Sequence, residues 1–232
     1  MGDFYPHKLR SSEMLAWYGE RFSTVEVNNS FYRLPSRTDF HRWSEVVSED
    51  FCFSVKASRY ITHRKRLHDA EAATRKFISH AEVLGAKLGP ILFQLPPNWR
   101  GNPERLDAYL QTLPKSHRYV FEFRDERWYV PEIYTILKRH QIALYVHDWH
   151  ALPWPVKFTA DFTYIRFHGP AGTYGGSYSE ASLQRWAESI RYWRKRLSRV
   201  FLYFNNDQQG HAVRNAQFLR TLLQENPKLK AA

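Results

Sequence analysis

Residues 118–128 read Arg-Tyr-Val-Phe-Glu-Phe-Arg-Asp-Glu-Arg-Trp. Tyr119, Val120, Phe121 and Phe123 favour an extended chain, because β-branched and aromatic side chains pack well on a pleated surface. Glu122 and Arg124 interrupt that apolar run. Residues two apart on a strand face the same way, so this reading sets a carboxylate beside a guanidinium at the strand's C-terminal end. Charges on a strand that is otherwise buried are costly unless they are paired or used. A structural Glu–Arg bridge would explain one such strand. It does not explain a pattern that recurs along the chain.

The pattern recurs on both sides of this stretch. Residues 24–32 (Thr-Val-Glu-Val-Asn-Asn-Ser-Phe-Tyr) alternate Val25 and Val27 with Glu26 and Asn28, and Pro35 ends the run. Residues 51–57 (Phe-Cys-Phe-Ser-Val-Lys-Ala) put Ser54 and Lys56 on one face, ahead of a basic loop over 60–66 that holds His63. Residues 89–97 form a buried strand with Gln94 near its end, stopped by Pro96 and Pro97. Downstream, strands over 142–148, 162–168 and 200–206 end in His147 and Asp148, in Arg166 and His168, and in Asn205 and Asn206. Helical segments separate them: one capped by Ser11 or Ser12, others around 39–47 and 69–88, two opened by Pro103 and Pro131, and a last one over 212–223. Leu183, Trp186, Ile190, Trp193 and Leu197 form one stripe of a further amphipathic helix.

Strands that alternate with helices predict parallel βα units. About seven such units in 232 residues suit a TIM-type (β/α) barrel, typically of about 250 residues, better than an open sheet. No glycine fingerprint of the dinucleotide-binding kind follows any strand. The expectation is a single barrel domain over 1–232. In a barrel the strand C-termini meet at one mouth, where such enzymes place their chemistry.

Composition narrows the function classes. A formal net charge of +11 at pH 7 points to anionic partners, a small molecule or nucleic acid. A hydrophobic fraction of 43% excludes a disordered chain. The single Cys52 forbids an intrachain disulfide. No apolar run reaches the roughly 20 residues of a membrane span, and no signal peptide is visible, so a cytoplasmic protein without a membrane partner is expected. Oligomeric state is not legible.

Three chemistries compete for the mouth. The first is recognition of an anion by Lys56, Arg124 and Arg166, with Asn28, His63, Gln94, Asp148 and Asn205 as further contacts, since guanidinium groups match phosphate oxygens bidentately. The glycine-rich run 169–178 lies where barrels often hold phosphate. The second is a metal site drawn from His63, Glu122, His147, Asp148 and His168. No His or Cys pair has ligand spacing, so no bound metal or cofactor is expected. The third is acid–base catalysis, with Glu26 or Glu122 as base and His168 as acid. Arg64, Lys65 and Arg66 should form a basic rim, with Tyr60, Trp128 and Trp154 as possible stacking surfaces, although both tryptophans suit core packing better. The leading expectation is an enzyme, a hydrolase in class, acting on an anionic, phosphorylated substrate. The rival is a nucleic-acid-binding protein or a metal-dependent, endonuclease-like phosphodiesterase.

Several phrases together resemble the YecE-like family, a domain family of unknown function. They are residues 24–32, Phe-Ser-Val-Lys-Ala at 53–57 with Thr62 and His63, Phe-Gln-Leu-Pro-Pro at 93–97, Glu-Phe-Arg at 122–124 with Trp128, Arg-Phe-His-Gly at 166–169, and Tyr-Phe-Asn-Asn at 203–206. The resemblance runs from Phe4 to Leu223 in matching order. It implies a TIM-type barrel similar in plan to metal-dependent DNA-repair endonucleases, and brings no settled reaction. Chains of that family usually carry a first strand and a Gly-x-x-Gly-Trp segment ahead of Phe-Tyr-Pro. Here Phe4-Tyr5-Pro6 lies almost at the start, so a barrel lacking the first strand is expected.

Overall fold

The computed structural model describes residues 4–148, 156–171 and 174–224. Its strands are β1 (Thr24–Val27), β2 (Cys52–Lys56), β3 (Leu88–Gln94), β4 (Tyr119–Glu122), β5 (Ala143–His147), β6 (Phe162–Phe167) and β7 (Arg199–Phe204). Between and around them run α1 (Met14–Gly19), α2 (Arg37–Glu45), α3 (Glu71–Ala81), α4 (Pro103–Gln111), α5 (Pro131–Arg139), α6 (Glu180–Trp193) and α7 (His211–Gln224). The strand order follows the chain order from β1 to β7, and the paired strands are parallel. This is the seven-stranded α/β alternation of a TIM-type barrel. By contacts the chain divides into two compact units, His7–Tyr145 and Val146–Ala232 with Met1–Pro6.

The unit His7–Tyr145 is organised by the two faces of β1–β4. Alternate residues Phe53, Val55, Ile91, Phe93, Tyr119 and Phe121 join one apolar core with Phe40, Phe77, Leu106, Leu110 and Ile133 from the helices. Phe93 stacks on Phe121 at 5.1 Å, and Trp128 on Phe123 at 4.7 Å. Trp128 is fully buried and donates its indole N–H to the Trp99 carbonyl at 2.6 Å, so packing is its role; Trp154 lies outside the described residues. Helix starts follow local chemistry. Ser36 and Asp39 form a capping box on α2, Asn102 caps α4 ahead of Pro103, and Pro131 opens α5.

Several elements are shorter than the sequence predicts. The extended run from Thr24 stops at Val27, because Ser30 reaches the carbonyls of Val27 (2.9 Å) and Lys56 (2.7 Å) and turns 29–31 into a 3-10 helix. β4 stops at Glu122, and Asp125 caps the next turn by accepting from Arg127 N at 3.1 Å. The helix expected over 69–88 ends at Ala81. Residues 82–87 tighten into a 3-10 turn, where Gly85 adopts φ +56°.

In the unit built on Val146–Ala232, β6 and β7 pair over six residues, from Phe162 with Arg199 to Phe167 with Phe204. Ser179 caps α6 by accepting from Ser182 N at 3.2 Å. The predicted stripe of α6 packs: Leu183 and Ile190 are buried with Ile165, Phe167 and Leu219, and Trp186 and Trp193 lie against them.

Candidate functional site

The register of β1–β4 sorts the polar residues. Glu26 pairs with Ser54, Lys56 lies two residues beyond Ser54 and pairs with Leu92, and Gln94 lies two beyond Leu92 and pairs with Glu122. Paired residues of neighbouring strands point to the same side, as do residues two apart. Glu26, Ser54, Lys56, Gln94 and Glu122 therefore share one face, opposite the apolar core. Lys56, Gln94 and Glu122 are each the last residue of their strand. Asn28 begins a turn and is exposed, while Glu26 sits half-buried below it.

Glu122 is fully buried, and Arg124 Nε donates to its Oε1 although Arg124 lies just past the strand end. Lys56 is buried, with Nζ 4.3 Å above the Phe31 ring. His63 meets the same ring edge-on at 5.0 Å and lies 2.9 Å from the Thr62 hydroxyl through Nδ1. Its imidazole is held below the ordinary histidine range, first by burial and then by Lys56, Arg124, Arg59 and Arg66. Several cations thus act on one half-buried imidazole. Tyr129 donates to the Phe123 carbonyl at 3.1 Å, and burial, reinforced by Glu122, keeps its phenol protonated. Sequence reading missed Phe31 and Tyr129, whose roles depend on turns that periodicity does not describe.

The other unit holds a polar group of its own. Asp148 and His168 are buried; Asp148 Oδ2 accepts from the His168 backbone N–H at 2.7 Å, and Oδ1 lies 3.3 Å from His168 Nδ1. Tyr178 donates its hydroxyl to Asp148 and accepts from Gly169 N at 2.7 Å. A carboxylate can only accept, so Nδ1 is the nitrogen that carries a proton in this contact. Asn215 Oδ1 accepts from Tyr178 N at 3.2 Å and from Asn206 Nδ2 at 3.0 Å. With its amide oriented to match, Asn205 accepts from Arg166 Nε and Nη2 at 3.1 and 3.2 Å. Both oxygens of Asp148, a residue expected to contact substrate, are thus engaged within the protein, as is the N–H of Gly169. Tyr178 and Asn215 were not singled out. Asn215 shares the buried stripe of α7 with Ala212 and Leu219, and a polar residue in that stripe was the available signal.

Among the described residues, no group of three or more His, Cys, Asp or Glu side chains is placed to hold a metal. No helix among them is long and apolar enough to cross a membrane.

A family model described as "Protein of unknown function DUF72" matches residues 1–232. The chain belongs to the DUF72 family. Within and around that family it is 26% identical to the UPF0759 protein YunF of Bacillus subtilis, over 94% of this chain and 89% of that protein. It is 29% identical to the UPF0759 protein YecE of Escherichia coli K12, over 48% of this chain and 42% of that one. A crystal structure of a DUF72 protein from Thermotoga maritima superposes with a TM-score of 0.83 at 29% identity, covering 95% of this chain and 93% of that one. One from Enterococcus faecalis gives a TM-score of 0.79 at 21% identity, covering 91% and 88%, and shares the fold.

Proposed function

We propose that this DUF72 protein is an enzyme that binds an anionic, phosphorylated substrate at the C-terminal ends of β2–β4. The supporting observation is the shared strand face that ends in Lys56, Gln94 and Glu122, with Arg124 and His63 beside it. Burying Lys56 near the half-buried Arg124 is costly, and a bound oxyanion offsets that cost. Arg124, aligned by Glu122, and Lys56 hold the anion. Gln94 and Asn28 add neutral donors. Glu26, on the same face, is the carboxylate assigned to accept a proton, and Glu122 aligns Arg124. Hydrolysis of a phosphoester suits this set of groups.

The test is calorimetric titration with sulfate and inorganic phosphate. Arg124→Ala removes a charge-assisted contact worth roughly 1.5–3 kcal/mol, so affinity should fall about tenfold or more. If the variant loses stability while affinity per folded molecule is unchanged, the pair is structural and the reading fails.

A further inference from the structure

Beside the proposed anion site lies a surface whose tyrosines that site does not use. Tyr32 is 70% exposed and Tyr60 46% exposed, both large for tyrosines outside a core. Arg59, Arg64 and Arg66 are exposed on the same segment as Tyr60, with the Arg66 guanidinium 6.0 Å from the Trp99 ring centroid. The Arg59 guanidinium lies 5.9 Å from the Tyr32 ring centroid, and Tyr32 packs edge-on against Phe31 at 5.0 Å. The surface is built on a fixed backbone. Residues Tyr60–Arg64 form a π-helical turn, closed by Lys65 N donating to Tyr60 O at 2.9 Å. Such turns are rare, and they concentrate at functional sites. Arg66, Leu67 and Asp69 all adopt left-handed φ, at 48°, 63° and 47°. Such strain in residues other than glycine persists only where the surroundings hold it. Ile61 and Leu67 anchor the segment in the core, at 1% and 3% exposed, and Leu67 N bonds to Ile61 O at 3.1 Å. The nearest acid in sequence, Asp69, is taken by His68 at 2.9 Å.

We infer that this surface docks single-stranded nucleic acid, with bases stacked on Tyr32 and Tyr60 and phosphates on Arg59, Arg64 and Arg66. Every base has a π face, so exposed rings interleaved with guanidinium groups take a single strand with little regard to sequence. A duplex hides those faces in its own stack. A backbone already held in place lowers the ordering cost of binding. The net charge of +11 draws a polyanion toward the protein in the same sense.

Fluorescence anisotropy with a labelled oligothymidylate tests this, alongside its duplex with oligoadenylate and a parallel sulfate titration. Tyr32→Ala and Tyr60→Ala should each weaken the single strand by about fivefold or more, and Tyr32→Phe and Tyr60→Phe should restore it. Sulfate affinity should not move in any of the four variants. Log affinity should fall by about 2 per tenfold rise in salt, at about 0.7 for each of three phosphates, and less steeply in Arg64→Ala. Unchanged oligonucleotide affinity in the doubly alanine-substituted protein, or a duplex bound as tightly as the single strand, overturns the inference. A failure to bind sulfate would overturn the anion site alone, because the tyrosine variants read a different surface.

Discussion

Glu122→Gln and His63→Ala probe two residues beside the cations that hold the proposed anion. Glu122→Gln keeps shape and hydrogen bonding but removes the charge opposite Arg124 in a fully buried position. Breaking a buried pair from one side is destabilising by up to about 3–5 kcal/mol; with the amide still able to accept, a loss near the low end is expected in urea denaturation. Sulfate affinity should hold or rise, since a competing negative charge has gone. A parallel fall in affinity would show that Glu122 organises Arg124 more than it repels the guest. His63 predicts a pH effect. Burial and the four cations depress its folded pKa, so without a ligand the neutral imidazole stabilises the fold above the unfolded value of about 6.5. That contribution is lost as pH falls below it toward the lowered folded value. A bound anion raises the pKa again, so binding takes up a proton. Sulfate, which stays dianionic here, should therefore bind more tightly as pH falls from about 8 to about 6, and His63→Ala should flatten the dependence.

Among the elements, the segment from Gly169 to Tyr178 makes the clearest demands. Gly169 adopts φ +96°, and a Cβ there would come within 2.2 Å of the Gly175 carbonyl oxygen. Gly169→Ala should therefore displace the segment and lower the melting temperature. Tyr178 stays a phenol because burial, then the Asp148 charge, pushes its pKa up. Tyr178→Phe strips a donor from Asp148 and an acceptor from Gly169 N together. Leaving a buried polar group without its partner costs about 1–3 kcal/mol, and equilibrium unfolding would read that loss. A neutral result would mean that water replaces the hydroxyl. β2 and β3 are tight in a similar way. A Cβ on Gly89 would lie 2.3 Å from Cys52 Sγ and 3.1 Å from the Phe53 carbonyl oxygen. The single thiol therefore lies against a strand that has no room for a side chain at that point.

At the scale of the whole molecule, charge dominates. With a formal net charge of +11 and a pI near 9.8, self-repulsion opposes the folded state, and salt screens it. Moderate sodium chloride should raise the melting temperature. Sulfate at low millimolar concentration, matched for ionic strength, should raise it further, because a ligand bound only by the native state adds RT ln(1 + [L]/Kd). In Arg124→Ala the extra rise should vanish while the general effect of salt remains. Equal shifts from both salts in the wild-type protein would leave screening as the whole explanation.

Alternation and punctuation were sufficient to read the seven strands and their parallel order. A period of two and a run of βα units are local facts, and helix starts at Pro103 and Pro131 depend on a single residue each. The shared face of Lys56, Gln94 and Glu122 follows from the same period once register is known. Register was decided in three dimensions, because hydrogen-bonded partners lie tens of residues apart. Tertiary structure also decided where elements stop. Ser30 turns the chain after Val27 by reaching the carbonyl of Lys56, a residue on another strand. It likewise engaged Asp148 with His168 and Tyr178, buried Trp128 and left Tyr32 in solvent. Periodicity assigns a side chain to a face, but the neighbours that satisfy or cover it come from distant segments, and only the folded chain brings those together.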